Sequence, residues 1–309
     1  MDNEILVSVI CITYNQEKYI KRCVDSLINQ HTTFRYEVIV HDDKSTDKTT
    51  DILKECKQEY CENLILYLED ENQYSKGINI IDDILYPKTK GKYIAICEGD
   101  DYWTDEYKLQ KQVNALENNP ECWISAHEVG IVNELGNQIK GKLAPCNENC
   151  IFSVNDVIDG DGGFVGTNSL LIKREAFENK YEFRSIYPLD YFLQIMGSLH
   201  GGMLYLSQQM SVYRAFSKGS WTENNLANRT RMIEHYNKII KALEKCDLET
   251  DKKYHSNIYN SILRQRIKIN ILEDNYAEII NNKEMMSLLS FKEKIKYIDR
   301  KSTRLNSSH

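Results

Sequence analysis

The first hundred residues alternate short apolar runs with segments whose apolar residues recur at helical spacing. Ile20, Cys23, Val24, Leu27 and Ile28 illustrate the helical spacing and predict a helix with one face on a sheet. The apolar runs predict four strands, at residues 7–12, 36–40, 64–68 and 93–97, and further helices are predicted over about 47–60 and 78–85. Strands and helices that alternate in this way are typical of βαβ units. We therefore predict an α/β fold with a mostly parallel central sheet flanked by helices.

Beyond residue 100 the alternation becomes less regular. An amphipathic helix is predicted around Leu109–Leu116, a strand at 122–125, a hairpin tip at 135–137 and a glycine-dense loop at 159–166. After Trp221 the chain is rich in Lys, Glu, Asn and Ile and has helical periodicity alone. These patterns predict a domain at 1–220 and a helical C-terminal extension at 221–300.

The last nine residues, 301–309, are polar and have no apolar pattern. Their Ser-Thr-Arg-Leu-Asn-Ser-Ser-His run resembles translated sequencing-adapter DNA. We treat this segment as a suspected non-native tail. The expectation is that the natural chain continues differently beyond about residue 300.

Polar residues cluster at the ends of three predicted strands. Ligands of open α/β sheets bind outside the carboxyl ends of the strands, so these clusters should converge. The clusters are Thr13-Tyr14-Asn15, Asp42-Asp43 and Glu98-Gly99-Asp100-Asp101. Taken alone, residues 41–47 are better explained as a turn with helix caps, but a carboxylate at a strand end can also accept hydrogen bonds from a nucleobase or a ribose.

The acidic cluster at 98–101 suits a divalent cation. Carboxylates so close together stay ionised only where water or a cation screens them, and hard oxygens favour Mg²⁺ or Mn²⁺. The alternative is a solvated acidic loop, against which the flanking Tyr102-Trp103 indicates a walled site. Asp100 is the preferred ligand, because Glu98 could face the core as a strand terminus.

Composition excludes some classes of partner and site. The net charge of −7 argues against a broad basic face for nucleic acid. Nine cysteines, two of them in strand-like runs, fit a reducing cytoplasm, and the pairs Cys56/Cys61 and Cys146/Cys150 lack zinc-site spacing. The N-terminus has no basic leader, and the apolar run 5–12 is too short to cross a bilayer.

Three segments together resemble the signatures of inverting family 2 glycosyltransferases of bacterial type, which have the GT-A fold. They are Val7–Asn15, Asp42–Asp47 and Glu98–Trp103, and the resemblance covers about the first 220 residues. It implies that Thr13, Tyr14 and Asp43, with Asn15 beside them, hold the nucleotide. Glu98-Gly99-Asp100 stands at the family's Asp-x-Asp motif, so Asp100 would bind Mn²⁺ or Mg²⁺ bridging the donor diphosphate. Glu98 and Asp101 are grouped with the donor-binding residues, and Glu98 would contact either the ribose or a metal-bound water.

Two later segments extend the resemblance. The run Pro188–Leu193 resembles the segment that supplies the catalytic base, which assigns that role to Asp190; capping of the following helix is the structural alternative, and the two roles can coexist. Ser211–Arg214 resembles the closing strand, where Arg214 could neutralise phosphate or form a structural ion pair. Relatives often carry a His two residues after this Arg, where the chain has Phe216, and His200 is no obvious substitute.

The function implied is metal-dependent, inverting transfer of a hexosyl or N-acetylhexosaminyl group from a nucleotide sugar. The resemblance favours a UDP-sugar as donor and leaves a thymidine or guanosine donor open. The acceptor would be a hydroxyl of a glycan or lipid-linked saccharide in cell-surface polysaccharide synthesis. The protein is expected in the cytoplasm, and in peripheral contact with the membrane if the acceptor is lipid-linked. Two departures from the family pattern leave a non-catalytic alternative, a module that binds a sugar nucleotide or glycan. They are Phe216 in place of the His, and Leu189 in place of the Glu or Gly that usually precedes the catalytic Asp. A nucleotidyltransferase is a weaker alternative, because no glycine-rich basic loop follows the first strand.

Overall fold

The computed structural model describes residues 4–60, 63–215 and 228–307. The chain forms two compact units: Met1–Lys180 with Pro188–Ser220, and Tyr181–Tyr187 with Trp221–His309. The sequence did not predict that 181–187 would pack with the C-terminal residues. Phe216 and Trp221 lie outside the described residues.

The first unit is built on one mixed sheet. Among the described residues its strands are β1 (Ile5–Thr13), β2 (Arg35–Asp42), β3 (Leu64–Leu68), β4 (Tyr93–Glu98), β5 (Tyr102–Trp103), β6 (Ile124–Val132), β7 (Gln138–Leu143), β8 (Cys150–Phe152), β9 (Leu171–Lys173) and β10 (Met203–Arg214). The strand order is β3-β2-β1-β4-β9-β6-β10-β5, with β7 on β6 and β8 on β10. Strands β1 to β4 pair in parallel, and β9 is antiparallel to both β4 and β6.

The α-helices of the first unit follow the strands they connect. They are α1 (Ile20–Ile28), α2 (Thr49–Tyr60), α3 (Lys108–Asn118), α4 (Val154–Asp159), α5 (Glu175–Glu178) and, within 188–220, α7 (Asp190–Ser198). A short helix α6 (Glu182–Ile186) belongs to the second unit. The mixed α/β sheet with flanking helices confirms the predicted fold class.

The core of the first unit lies where the helices cover the parallel strands. Alternate residues of β1, β2 and β4 pack against the apolar face of α1, whose Ile20, Cys23, Val24 and Leu27 are all buried. The thiols of Cys11 and Cys97 are buried beside Cys23, with Sγ–Sγ distances of 3.8 and 3.9 Å from it, so they pack as small apolar groups.

Three predicted elements differ from the structure. The predicted helix near 78–85 is a π-helix, Ile80–Leu85, with 3-10 turns at Tyr74–Lys76 and Tyr86–Lys88. The predicted strand at 122–125 is the nine-residue β6. Helix α2 begins at Thr49 because Asp47 precedes it as a cap, accepting the Thr49 N–H at 2.9 Å.

The second unit is helical. Besides α6 it contains α8 (Arg229–Glu249), α9 (His255–Leu272), α10 (Tyr276–Asn281), α11 (Lys283–Leu288) and α12 (Phe291–Ser307). A separate apolar cluster joins Leu263 and Ile267 of α9 to Ile279, Met285 and Tyr297. Helix α12 extends into the suspected tail. Within the described ranges, no helix combines the length and apolarity needed to span a membrane.

Candidate active site

The carboxyl ends of β1, β2 and β4 lie side by side, as the sequence predicted. In the parallel register Thr13 pairs with Asp42, and Ile12 pairs with Glu98. The Asp43 N–H donates to the Thr13 carbonyl at 3.0 Å, and the Gly99 N–H donates to the Ile12 carbonyl at 2.9 Å. The sheet therefore brings all three polar clusters to one edge.

Thr13 lies between β1 and the acidic loop. Its side chain is buried, and Oγ1 donates to Gln16 Oε1 at 2.7 Å. Gly99 packs directly on this pair, since a Cβ there would lie 2.7 Å from Thr13 Oγ1. Tyr14 next to it is 46% exposed, so its ring is available at the surface.

Asp43 anchors a loop at the same edge. Its Oδ1 accepts the Gln73 N–H at 2.6 Å, its Oδ2 accepts the Tyr74 N–H at 3.0 Å, and its backbone carbonyl accepts from the Asn72 amide at 2.9 Å. The carboxylate is buried, but each oxygen retains a second lone pair. Asp43 can thus hold the loop and still accept a hydrogen bond from a ligand.

Asn15 holds two loops together, which is a different use from the predicted ligand contact. Its Oδ1 accepts the Thr46 N–H at 2.7 Å, and its own N–H donates to Ser45 Oγ at 2.9 Å. Its φ of 54° lies in the left-handed region, which Asn tolerates better than most residues. These contacts explain an Asn at this position without a ligand.

The carboxylates of Asp100 and Asp190 lie close enough to Glu98, at the end of β4, for their charges to act on it. Burial, and then the charges of Asp100 and Asp190, raise the pKa of Glu98 to about 8. Glu98 and Asp100 are both partly exposed. The raised pKa shows that an additional negative charge is unfavourable at this place.

Asp101 and Arg214 hold the acidic loop to β10 instead of facing a ligand. Asp101 is buried, and its oxygens accept the backbone N–H of Arg214 and the amide of Asn168, each at 2.8 Å. Burial first, and then Asp100 and Glu98, raise the pKa of Asp101 well above its usual range. Both carboxylate oxygens of Asp101 therefore have partners inside the protein, which gives this residue a structural role, and its donor contact stays a prediction.

The Arg214 guanidinium is buried and bound to backbone carbonyls. Its Nε donates to the Asp100 carbonyl at 3.0 Å, and one terminal nitrogen donates to the carbonyls of Asn133 and Glu134, each at 3.1 Å. Its other face lies 4.3 Å from the Tyr19 ring centroid. Arg214 therefore fixes the loop that carries Asp100, which differs from the predicted phosphate contact.

Asp190 is the first residue of α7 and not its N-cap, a position that Leu189 occupies. Its Oδ1 accepts the Tyr191 N–H at 2.7 Å, and its Oδ2 accepts the Thr167 hydroxyl at 3.0 Å. The charge of Asp190 reaches Glu98 strongly enough to contribute to the raised pKa of that carboxyl. The structure thus brings Asp190 to the acidic cluster.

The residues present fit a hard divalent cation. Asp100 and Glu98 supply carboxylate oxygens, and the raised pKa of Glu98 marks a place where a cation would offset repulsion. Within the described part of the chain, no group of three or more His, Cys, Asp or Glu side chains is arranged to hold a metal alone. A cation here would need further ligands, such as the oxygens of a diphosphate.

Tyr102 and Trp103 do not wall an open site as predicted. Both are buried, and Trp103 belongs to the main core, where its indole N–H donates to the Asn168 carbonyl at 3.1 Å. His200 stacks on Trp123 at a centroid distance of 3.6 Å. The loop at 98–101 is therefore supported from beneath by aromatic packing.

Sequence reasoning missed the parts played by Thr167 and Asn168. They lie on a 3-10 turn, Thr167–Ser169, and contact Asp190 and Asp101 respectively. A buried Asn gives no periodic signal, so nothing in the residues themselves identified its partners.

The chain belongs to glycosyl transferase family 2, whose family model matches residues 8–214. This match confirms the family inferred from the sequence motifs. The matched region contains the three strand-end clusters and Asp190, and it ends at Arg214.

Curated relatives include an uncharacterized protein of Mycobacterium tuberculosis, 33% identical over 215 residues, which are 70% of this chain and 60% of the relative. The chain thus spans less than two thirds of that relative's length. A UDP-Glc:α-D-GlcNAc-diphosphoundecaprenol β-1,3-glucosyltransferase of Escherichia coli is 35% identical over 112 residues, which are 36% of this chain and 41% of that enzyme.

Among solved structures, S. aureus TarS (residues 1–349) in complex with UDP-GlcNAc matches with a TM-score of 0.65 and 16% identity. The match covers 96% of this chain and 79% of that chain. At this identity the likeness establishes the shared fold.

Proposed function

We propose that this chain is a metal-dependent, inverting glycosyltransferase that moves a sugar from a UDP-sugar to a hydroxyl of a glycan or lipid-linked saccharide. The observation that carries the proposal is the convergence of Glu98, Asp100 and Asp190 beside the polar ends of β1 and β2. Membership of the family supports it.

The donor nucleotide is assigned to the edge formed by β1 and β2. Asp43 offers acceptor lone pairs at a buried position, which suits a nucleobase N–H, and the exposed Tyr14 ring can cover a base. Complexes of the TarS structure with UDP-GlcNAc support a uridine donor.

Asp190 is assigned the role of general base. Hydrogen bonds from Tyr191 N–H and Thr167 Oγ1 fix the orientation of its carboxylate. A remaining lone pair can take the proton of the acceptor hydroxyl as the hydroxyl oxygen attacks the anomeric carbon. The bond from that carbon to the diphosphate oxygen breaks on the opposite face, so configuration inverts.

Asp100, with Glu98 beside it, is assigned to hold Mn²⁺ or Mg²⁺ against the donor diphosphate. When bound, the cation would stabilise the negative charge of the departing nucleoside diphosphate. The protein's own contribution is to fix this loop, through Arg214 on the Asp100 carbonyl and Gly99 against Thr13.

The acceptor is assigned as a saccharide hydroxyl, and the E. coli relative, whose name describes a diphosphoundecaprenol-linked acceptor, supports a lipid-linked saccharide. Such an acceptor would place the protein at the cytoplasmic face of a membrane in peripheral contact. Cell-surface polysaccharide synthesis is the matching setting.

The test measures UDP binding and sugar release from UDP-glucose and UDP-N-acetylglucosamine, with and without Mn²⁺ and with simple sugars as added acceptors. It compares the wild type with Asp100→Asn, Asp190→Asn and Asp51→Asn, the last as a control on the exposed face of α2. We expect Asp190→Asn to bind UDP with Mn²⁺ like the wild type but to lose at least about 100-fold in turnover. Asp100→Asn should lose both metal-dependent binding and turnover.

Each other outcome contradicts a stated part of the proposal. Binding without turnover in the wild type would favour a non-catalytic binding module. Turnover independent of added metal and unaffected by Asp100→Asn would contradict the metal assignment. Full activity of Asp190→Asn would remove Asp190 as the base.

A further inference from the structure

The short turn Thr167–Ser169 contacts two different parts of the candidate active site. Thr167 Oγ1 donates to Asp190 Oδ2 at 3.0 Å. The next residue, Asn168, donates from its side-chain amide to Asp101 Oδ2 at 2.8 Å. One peptide unit therefore separates the contact to Asp190 from the contact to the loop that carries Asp100.

Asn168 is held in a single orientation. It is fully buried, its Nδ2 also donates to the Val212 carbonyl at 3.0 Å, and its Oδ1 accepts the Ser211 hydroxyl at 2.9 Å. Rotating the amide by half a turn would place its oxygen against two acceptors, Asp101 Oδ2 and the Val212 carbonyl. Both groups of the amide are thus fixed by partners of matching type.

The backbone of the turn is fixed as well. The Trp103 indole donates to the Asn168 carbonyl at 3.1 Å, and the Gln112 side chain donates to the Ser169 carbonyl at 2.8 Å. Trp103 and Gln112 are both buried in the first unit. The turn is therefore anchored to buried residues of the first unit.

We propose that Thr167 and Asn168 are positioning residues that set the placement of Asp190 relative to the Asp100 loop. This inference rests on the proposed function. An in-line displacement needs the base on one face of the anomeric carbon and the diphosphate on the other, and a misplacement of about 1 Å can cost about 100-fold in rate. A rigid link between the two groups meets that requirement.

The two residues should affect different steps. Thr167 contacts the base, so removing its hydroxyl should slow sugar transfer without weakening nucleotide binding. Asn168 contacts the loop of the metal ligand through Asp101, so its loss should weaken metal-dependent nucleotide binding. A purely structural role would instead change thermal stability, binding and turnover together.

The decisive comparison uses Thr167→Val, which keeps the side-chain shape but removes the hydroxyl, and Thr167→Ser, which keeps the hydroxyl. The full chain is assayed for binding of UDP with MnCl₂ by calorimetry, for hydrolysis of UDP-glucose and UDP-N-acetylglucosamine, and for melting temperature. Thr167→Val is expected to lower the hydrolysis rate about tenfold or more, with the dissociation constant of UDP unchanged within about twofold. Thr167→Ser should recover most of the rate.

Asn168→Ala is the second variant tested, in the same binding, hydrolysis and melting assays. It should raise the dissociation constant of UDP with MnCl₂ about tenfold or more, as expected where a buried hydrogen-bond partner is lost. If Asn168→Ala does not fold, the comparison of Thr167→Val with Thr167→Ser tests the positioning role by itself.

The positioning role is overturned if Thr167→Val hydrolyses donor at the wild-type rate, if it loses binding and rate together, or if Thr167→Ser fails to restore the rate. Failure of the proposed function looks different, because then the wild type itself would not bind UDP with MnCl₂ or would bind it and release no sugar. Either wild-type result removes this inference with it.

Discussion

Glu98 is the residue whose titration the active-site geometry changes most clearly. Its pKa is raised to about 8 from an ordinary value of 4.5, by burial and then by Asp100 and Asp190. In the unfolded chain the carboxyl regains its ordinary pKa, so the metal-free folded state loses stability as the pH rises from about 4.5 to about 8. Glu98→Gln should remove this loss and raise the free energy of unfolding at about pH 9 by roughly 5 kcal/mol, with a much smaller gain at about pH 5.

Urea unfolding in the presence of a chelator measures this difference. Glu55→Gln, an exposed carboxylate on α2, is the matched control and should change stability equally little at both pH values. A Glu98→Gln variant with the same gain at both pH values, or with none, would contradict the assigned charge repulsion.

The residue types predicted where the site lies better than they predicted which groups each site residue contacts. Thr13, Asp43 and Asp100 lie at one edge, as expected because strand ends in a parallel sheet converge. Asp190, at the start of a helix, was assigned by resemblance alone. Asn15 and Arg214 were assigned to the ligand, whereas the Asn15 side-chain oxygen accepts a backbone N–H and the Arg214 guanidinium donates to backbone carbonyls. A sequence does not distinguish side chains that bind a ligand from side chains that bind the backbone.

Lys108 shows the same limit in the core. A Lys at a helix start is ordinarily solvated, yet Lys108 is fully buried, with Nζ 4.0 Å from the Trp103 ring centroid and donating to Gln112 Oε1 at 2.7 Å. Burial lowers its pKa to about 7. Its partners come from the same helix and a neighbouring strand, so no local pattern identifies the position.

At the scale of elements, hydrophobic periodicity predicted β1 to β4 to within about two residues at each end, together with the helices α1 and α2 that connect β1, β2 and β3. It failed where tertiary pairing sets the length, as in β6, which is extended by its long parallel partner β10. It also failed at Ile80–Leu85, because a π-helix shares the apolar spacing of an α-helix over so short a segment.

Gly91 provides a test of how closely β4 approaches β1. A Cβ at Gly91 would lie 2.5 Å from the Ser8 backbone nitrogen and 2.7 Å from the Val7 carbonyl carbon. Backbone atoms within a parallel pair cannot move aside easily, so Gly91→Ala should destabilise the protein by about 2 kcal/mol. Chemical denaturation measures the loss.

Gly163→Ala is the matched control. No atom lies within 4 Å of a Cβ at Gly163, and neither glycine has a positive φ. The control should change stability by less than about 1 kcal/mol, in either direction. Equal effects of the two substitutions would refute the close approach of β1 and the segment before β4.

At the scale of the whole molecule, the path of the chain between its two units was not predictable from composition. The change in composition near Trp221 indicated a division there, but it contains no information about 181–187, a segment too short to show periodicity. In the second unit the backbone N–H groups of Glu182 and Phe183 donate to the Glu249 carboxylate at 2.9 and 3.2 Å. Lys245 of α8 also pairs with Glu182 at 2.6 Å.

A fragment ending at residue 220 should therefore be poorly soluble. It keeps 181–187 but lacks α8, so Phe183, fully buried in the complete chain, loses its cover in the second unit. In the fragment, Phe183→Ser should raise solubility and reduce binding of a hydrophobic dye, because it removes an exposed apolar ring. In the complete chain the same substitution should cost about 3 kcal/mol of stability, because it empties a packed site.

Phe183→Ser should thus improve the fragment and destabilise the complete chain. General misfolding of the fragment would not produce these opposite effects. Centrifugation and dye binding measure solubility and exposed apolar surface, and urea unfolding measures stability. The four proteins are the complete chain and the fragment, each with and without Phe183→Ser. A fragment as soluble as the complete chain, or one whose solubility does not respond to Phe183→Ser, would mean that 181–187 does not depend on the C-terminal helices. The expected result would instead mean that a stable truncation of this protein must end beyond α8. Helix α8 supplies Lys245 and Glu249, the partners of the segment that precedes Asp190 in the chain.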